Sequence, residues 1–185
     1  MPRAYISVGS NIDPEKNVKE ALRLLTAKIP VAKISTVYYT EPEQRPEPWS
    51  KQPPESQPEQ PWYYNCVIEI NTELRPEELK YAVLRDIEKK LGRKRTADKF
   101  ASRTIDLDLI FYDGLAFESP GFTLPDPDIF RRLYLLSALR ELSPDLKLTE
   151  PRSNPVAILE EVSPPRMEAL EAYTQLLRKE ISHGG

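Results

Sequence analysis

Asp106 and Asp108 are separated by one residue in the run Thr-Ile-Asp-Leu-Asp-Leu-Ile-Phe-Tyr over 104–112. The run alternates apolar and acidic residues and is rich in β-formers, which predicts a strand. Side chains at i and i+2 leave a strand on one face, so both carboxylates point the same way. Held that close they repel unless a cation lies between them. A hard cation such as Mg²⁺ takes one or two carboxylates and fills its shell with water and phosphate oxygens. The bland alternative is a solvated strand face paired with lysine or arginine.

The segment before this strand sharpens the choice. Residues 89–103 carry Lys89, Lys90, Arg93, Lys94, Arg95, Lys99 and Arg103. Arginine clusters recognise phosphate through bidentate hydrogen bonds. Paired carboxylates beside a basic loop supply what phosphoryl transfer needs: a metal bridging phosphate oxygens and arginines neutralising the transferred group. Taken alone, the loop fits a solvated basic turn or a nucleic-acid patch equally well. No Gly-x-x-x-x-Gly-Lys-Ser/Thr or Gly-x-Gly-x-x-Gly segment is present, so neither common glycine-loop route to a nucleotide is available. Gly9-Ser10-Asn11 is a weak phosphate-loop candidate and reads first as a turn. The one histidine, His183, sits in a polar Ser-His-Gly-Gly run. That argues against histidine triads and histidine-rich zinc sites. Aromatic residues gather at Tyr38, Tyr39, Trp62, Tyr63 and Tyr64 and again at Phe130 and Tyr134. They are read as sheet core or as a stacking site for a flat heterocycle, whose edge the Asn65 amide could read.

These residues need elements to hold them. Residues 3–8 predict a strand. Asp13-Pro14 starts a helix, with Asp13 as cap and Val18, Ala21, Leu22, Leu25 and Ile29 on one face. Residues 31–39 predict a second strand and 62–71 a third. Between them, the proline-rich stretch 40–61 predicts a long mobile loop. A helix from Pro76 carries Leu79, Val83, Leu84, Ile87 and Leu91, with Gly92 ending it. Asp113-Gly114 closes the aspartate strand in a turn, and a short strand is expected over 115–118. Further helices are expected near 130–142, 154–161 and 166–181. The order strand-helix-strand-strand-helix-strand predicts an α+β, ferredoxin-like antiparallel sheet, with helices packed mainly on one face and extra C-terminal helices. The domain reading is a main unit over 1–162 and a helical appendage over 163–185.

Composition narrows the class. A chain of 185 residues with a net charge of −3 can bury a core and gives no global reason to expect nucleic acid or an anionic membrane. The lone cysteine, Cys66, cannot form an internal disulfide, which fits a reducing compartment. No secretory leader and no membrane-length apolar run is read, so the expectation is a cytoplasmic, monomeric protein.

The chain resembles the 6-hydroxymethyl-7,8-dihydropterin pyrophosphokinase family from the first strand to about residue 145. The resemblance rests on Tyr-Ile-Ser-Val-Gly-Ser-Asn (5–11), Tyr-Tyr-Thr-Glu-Pro (38–42), Tyr-Asn-Cys-Val (64–67) and Leu-Pro-Asp-Pro (124–127). Its most specific part is Gly-Arg-x-Arg (92–95) followed after seven residues by Arg-x-Ile-Asp-Leu-Asp (103–108). It implies two Mg²⁺ ions on Asp106 and Asp108, and Arg93, Arg95 and Arg103 on a catalytic loop over 92–103. Thr40, Pro42, Tyr63, Asn65, Phe100 and Tyr134 would bind the pterin, with Tyr63 and Tyr134 as the stacking pair. Glu88, Arg95, Leu109, Thr123, Asp126 and Arg132 would line the ATP side. The implied substrates are ATP and the dihydropterin. Three features depart from the family pattern: Asp126 stands where histidine is usual, Phe100-Ala101-Ser102 replaces tryptophan, glycine and proline, and the loop 40–61 is longer. Two other readings compete: a slow relative that binds ATP or pterin, and a non-enzymatic module binding single-stranded RNA on an aromatic sheet.

Overall fold

The computed structural model describes residues 1–42, 60–96, 98, 100–148 and 166–183. Strand β1 (Arg3–Ser10) lies inside the sheet, between β4 (Tyr63–Asn71) and β5 (Asp106–Tyr112), and pairs antiparallel with both. Its alternation sorts side chains between two cores: Ala4, Ile6 and Val8 enter one, Tyr5 the other. Burial on both faces explains why β1 and β4 read as nearly continuous apolar runs. β2 (Val31–Ile34) and β3 (Tyr38–Thr40) pair in turn along the other edge of β4. The full order is β5-β1-β4-β3-β8, with β8 spanning Met167–Ala169. The architecture is α+β, with an antiparallel sheet.

One face carries α1 (Pro14–Thr26), the helical run Pro76–Lys90 and α5 (Glu171–His183). That run comprises α2 (Pro76–Glu78), a π-helical turn (Leu79–Leu84) and α3 (Arg85–Lys90). The other face carries α4 (Leu133–Leu142), which buries Leu135, Ala138, Leu139 and Leu142 against Tyr5, Val67, Ile110 and Phe111. A bulge in β5 makes this possible. Tyr5 pairs with Phe111 and Ile6 with Leu109, leaving Ile110 extra, so Ile110 and Phe111 both enter the α4 core. β6 (Phe117–Ser119) and β7 (Phe122–Leu124) form a separate hairpin.

Several local expectations change. The single strand over 31–39 is two strands, because the Ser35 hydroxyl accepts the Val67 N–H at 2.9 Å and displaces a ladder bond. Asp13 precedes α1 but sits at φ 42 and makes no side-chain cap. The helix expected from Phe130 begins at Leu133, after a 3₁₀ turn over Pro127–Phe130. The start of the helix expected over 166–181 is strand β8, which pairs with the otherwise open edge of β3. Gly92 ends α3 as expected. At φ 75 it turns the chain so that the Arg93 N–H reaches the Glu88 carbonyl at 3.0 Å. Asp113 and Gly114 both have positive φ in the turn after β5. Most of the proline-rich loop, the helix expected near 154–161 and the boundary at 162/163 lie outside the described residues.

Candidate active site

α4 packs on its sheet face at Tyr5, Val67, Ile110 and Phe111. Further along the same face stand Ser7 and Gly9 from β1, Asp106 and Asp108 from β5, and Tyr63 and Asn65 from β4. Asp106 and Asp108 share this face, as their spacing requires, because Ile105, Leu107 and Leu109 fill the opposite core. The Asp106 and Asp108 side chains are 19% and 40% exposed, so a ligand can reach both.

Cationic groups converge on the pair. Arg103 forms an ion pair with Asp106, and Arg93 Nη2 lies 3.5 Å from the other Asp106 oxygen. Lys80 Nζ lies 3.5 Å from Asp108 Oδ1. Burial raises the proton affinity of Asp108, and the neighbouring Asp106 charge adds to that, with Lys80 opposing. Burial works against the Arg103 charge, yet Asp106 and Tyr63 together outweigh it and hold that guanidinium above its ordinary pKa.

Glu88 lies behind the strand. One oxygen accepts the Leu107 N–H at 3.0 Å, on the edge of β5 that no strand pairs among the described residues. The other receives Arg85 at 2.7 Å and Arg95 at 2.8 Å. Burial pushes Glu88 up to about 7, against the pull of the Leu107 N–H and Arg85. Glu88 thereby ties the basic loop to the aspartate strand.

A second tie comes from the turn after β1. Asn11 Oδ1 accepts the Arg103 N–H at 2.7 Å, and its amide donates to Ser102 Oγ at 3.2 Å and to the Pro61 carbonyl at 3.3 Å. Arg103 is therefore fixed at its backbone and at its guanidinium, which also lies 5.9 Å from the Tyr63 ring centre. On the far side of β1, Asn65 donates to Thr40 Oγ1 at 2.7 Å. Gly9 leaves room for it: a Cβ there would lie 2.9 Å from Asn65 Oδ1.

The structure therefore brings together Arg93, Arg103, Asp106, Asp108, Tyr63, Asn65 and Thr40. Tyr134 joins them from the first turn of α4; burial raises its hydroxyl pKa, and Arg132 and a hydrogen bond with Ser7 oppose this. Arg95 is anchored on Glu88, with its side chain 53% exposed. Leu109 is buried in the sheet core opposite Ile6. Thr123 is exposed on β7 opposite Glu118. Asp126 caps the 3₁₀ turn through the Asp128 N–H at 2.8 Å, and Arg132 pairs with Asp128 at 2.9 Å. Burial raises Asp126; the Asp128 N–H opposes this, while the Asp128 and Asp108 charges reinforce it. The Phe100 carbonyl accepts a hydrogen bond from Gln60, and Pro42 is half-buried after β3.

Sequence reasoning missed two side chains that build the site. Asn11 had a signal, the Gly-Ser-Asn turn, but its task is to anchor a loop. Lys80 had none, since helical periodicity does not mark a lysine for burial.

No group of three or more histidine, cysteine or acidic side chains suited to a metal occurs among the described residues. The donor set still fits a hard divalent cation. Two carboxylates share one reachable face, and both draw cationic side chains. Mg²⁺ bound with a polyphosphate needs no more than one or two carboxylates.

The family model described as 7,8-dihydro-6-hydroxymethylpterin-pyrophosphokinase matches residues 5–144. The 2-amino-4-hydroxy-6-hydroxymethyldihydropteridine pyrophosphokinase of Bacillus subtilis is 33% identical, over 75% of this chain and 77% of that protein. The protein of the same name from Methylorubrum extorquens is 34% identical, over 79% of this chain and 85% of its own length. The folic acid synthesis protein fol1 of Pneumocystis carinii is 35% identical, but this chain spans only 18% of its length. An HPPK-DHPS structure in complex with substrates aligns with TM-score 0.61 at 12% identity, over 86% of this chain and 44% of that one. That likeness concerns the fold. The family match over most of the chain, together with the two pyrophosphokinases it nearly spans, decides the classification: the chain belongs to the 7,8-dihydro-6-hydroxymethylpterin-pyrophosphokinase family.

Proposed function

We propose that this chain transfers pyrophosphate from ATP to 6-hydroxymethyl-7,8-dihydropterin, a step of folate biosynthesis. The carrying observation is the reachable Asp106–Asp108 pair, with Arg93 and Arg103 both within ion-pair reach of Asp106. Family membership and the pyrophosphokinase names of the Bacillus and Methylorubrum relatives support the reading.

In this reading Asp106 and Asp108 would hold two Mg²⁺ ions, which would supply charge neutralisation at the ATP phosphates. Thr40 and Asn65 read the pterin edge, with Pro42 beside them. Tyr63 and Tyr134 stack on the ring, and Phe100 covers it. The hydroxymethyl oxygen attacks the β-phosphorus in line, the bond to the α–β bridging oxygen breaks, and AMP leaves. The hydroxyl loses its proton to solvent, so no strong protein base is needed. Arg103 and Arg93 neutralise charge on the transferred group, and Arg95 reaches the phosphates from its anchor on Glu88. Arg132 and Thr123 border the ATP side, with the Leu109 backbone toward the adenine. Asp126, a carboxylate in that region, borders the ATP side with one oxygen engaged by the Asp128 N–H.

The ferredoxin-like description belongs to the same proposal, supported by the strand order β5-β1-β4-β3 and by three helical segments on one face. So do a monomeric, cytoplasmic enzyme that needs no nucleic acid, and the division into a main unit and a C-terminal appendage. No helix among the described residues is long and apolar enough to cross a membrane. The test is product analysis with ATP, Mg²⁺ and the dihydropterin. AMP formed in equal amount to a doubly phosphorylated pterin is the expected result. ADP with a singly phosphorylated pterin, or no pterin dependence, would overturn the proposal.

A further inference from the structure

Lys80 is the side chain at this site that no part of the reading above requires. It lies in the π-helical turn among buried Leu79, Val83 and Leu84, and is itself 5% exposed. Burying an ammonium in such surroundings is costly unless it is paired. Lys80 has two partners. Its Nζ is 3.5 Å from Asp108 Oδ1 and 4.5 Å from the centre of the Phe122 ring.

The packing around it is tight. Phe122 is buried and meets Tyr81 edge-on at 6.1 Å. Gly121 has φ 128, and a Cβ there would lie 2.9 Å from the Tyr81 hydroxyl. The hairpin thus closes on the π turn and holds the lysine against Asp108. π turns rotate the residues that follow relative to a regular helix and recur at functional sites. The surrounding charge is acidic, because Asp106 lies beside Asp108 on the strand and both Asp108 and Lys80 act on Asp126.

We propose that Lys80 is a resident cation of the site: it positions the Asp108 carboxylate and competes for it with the divalent metal, so that it sets how much free metal the site requires. This rests on the reading of Asp106 and Asp108 as metal ligands. A tethered positive charge next to a ligand oxygen lowers that oxygen's attraction for a second cation. Lys80 acts through Asp108 and is a positioning residue. A merely structural lysine would change stability and leave the metal requirement alone.

The test is calorimetric binding of the α,β-methylene analogue of ATP across a range of free Mn²⁺, which reads metal binding without turnover. In Lys80→Met the free Mn²⁺ giving half-maximal binding is expected to fall roughly tenfold. Lys80→Arg, which keeps the charge, is expected to match the wild type. Should Lys80→Met fail to fold, Lys80→Gln reads the same quantity. An unchanged or higher Mn²⁺ requirement in a folded, uncharged variant overturns the proposal while leaving the metal ligands standing. Analogue binding that ignores Mn²⁺ in the wild type, or keeps its Mn²⁺ dependence in Asp108→Ala, overturns the ligand reading and this proposal with it.

Discussion

Arg103 is held at three points: its N–H on Asn11, its guanidinium on Asp106, and the Tyr63 ring beside it. A cation so fixed contributes more where charge develops during transfer than in ground-state binding. Arg103→Ala is therefore expected to lower kcat by about 10²-fold or more with little change in KM for ATP. Steady-state kinetics checks this, and a rise in KM at unchanged kcat would contradict it. Cys66 offers a prediction independent of catalysis. Burial pushes its thiol up to about 12, so the folded state retains the proton that an unfolded thiol begins to lose near pH ~8.5. The neutral-thiol contribution is full below the unfolded value and is lost progressively as pH rises toward the folded one. Native protein at pH 8 should resist alkylation, and denaturant should expose the thiol. Rapid labelling of folded protein would refute the burial.

At the scale of elements, the pairing of β1 with β4 makes a precise demand at Gly9, where a methyl group would meet the Asn65 amide oxygen. Gly9→Ala should push Asn65 away from Thr40 and raise the KM for pterin about tenfold, while ATP analogue binding holds. An unchanged pterin KM would remove Asn65 from the pterin site. The aspartate strand was legible because alternation states its period directly. The basic loop was legible as a composition, but its shape was not. The Asn11 anchor and the Glu88 tie are long-range hydrogen bonds with no local pattern. The π turn was hidden because Leu79, Val83, Leu84 and Ile87 fit an ordinary helix. Strand β8 was hidden because its pairing depends on the distant edge of β3.

Across the whole molecule, the C-terminal segment completes the sheet and one core. β8 pairs with β3, Leu177 is buried, and Thr174 Oγ1 accepts the Val37 N–H at 2.9 Å. Deleting residues 166–185 would uncover that edge, lose an apolar burial worth ~2 kcal/mol and leave Val37 unpaired at a further cost of ~1 kcal/mol. Thermal unfolding should show a clear drop in Tm; an unchanged Tm would mean that the segment contributes nothing to stability. Fold class was readable at this scale because element order constrains it. The second core was not, because the bulge that sends both Ile110 and Phe111 into it is a register shift no local pattern announces.

The account depends most on Asp106 and Asp108, and turnover of Asp106→Ala and Asp108→Ala tests it most directly. AMP release should be followed at saturating ATP, Mg²⁺ and dihydropterin, with melting temperatures confirming the fold. The account predicts that each variant loses at least about 10³-fold in kcat, because the phosphate charge goes unneutralised. Wild-type kcat in either folded variant would contradict it.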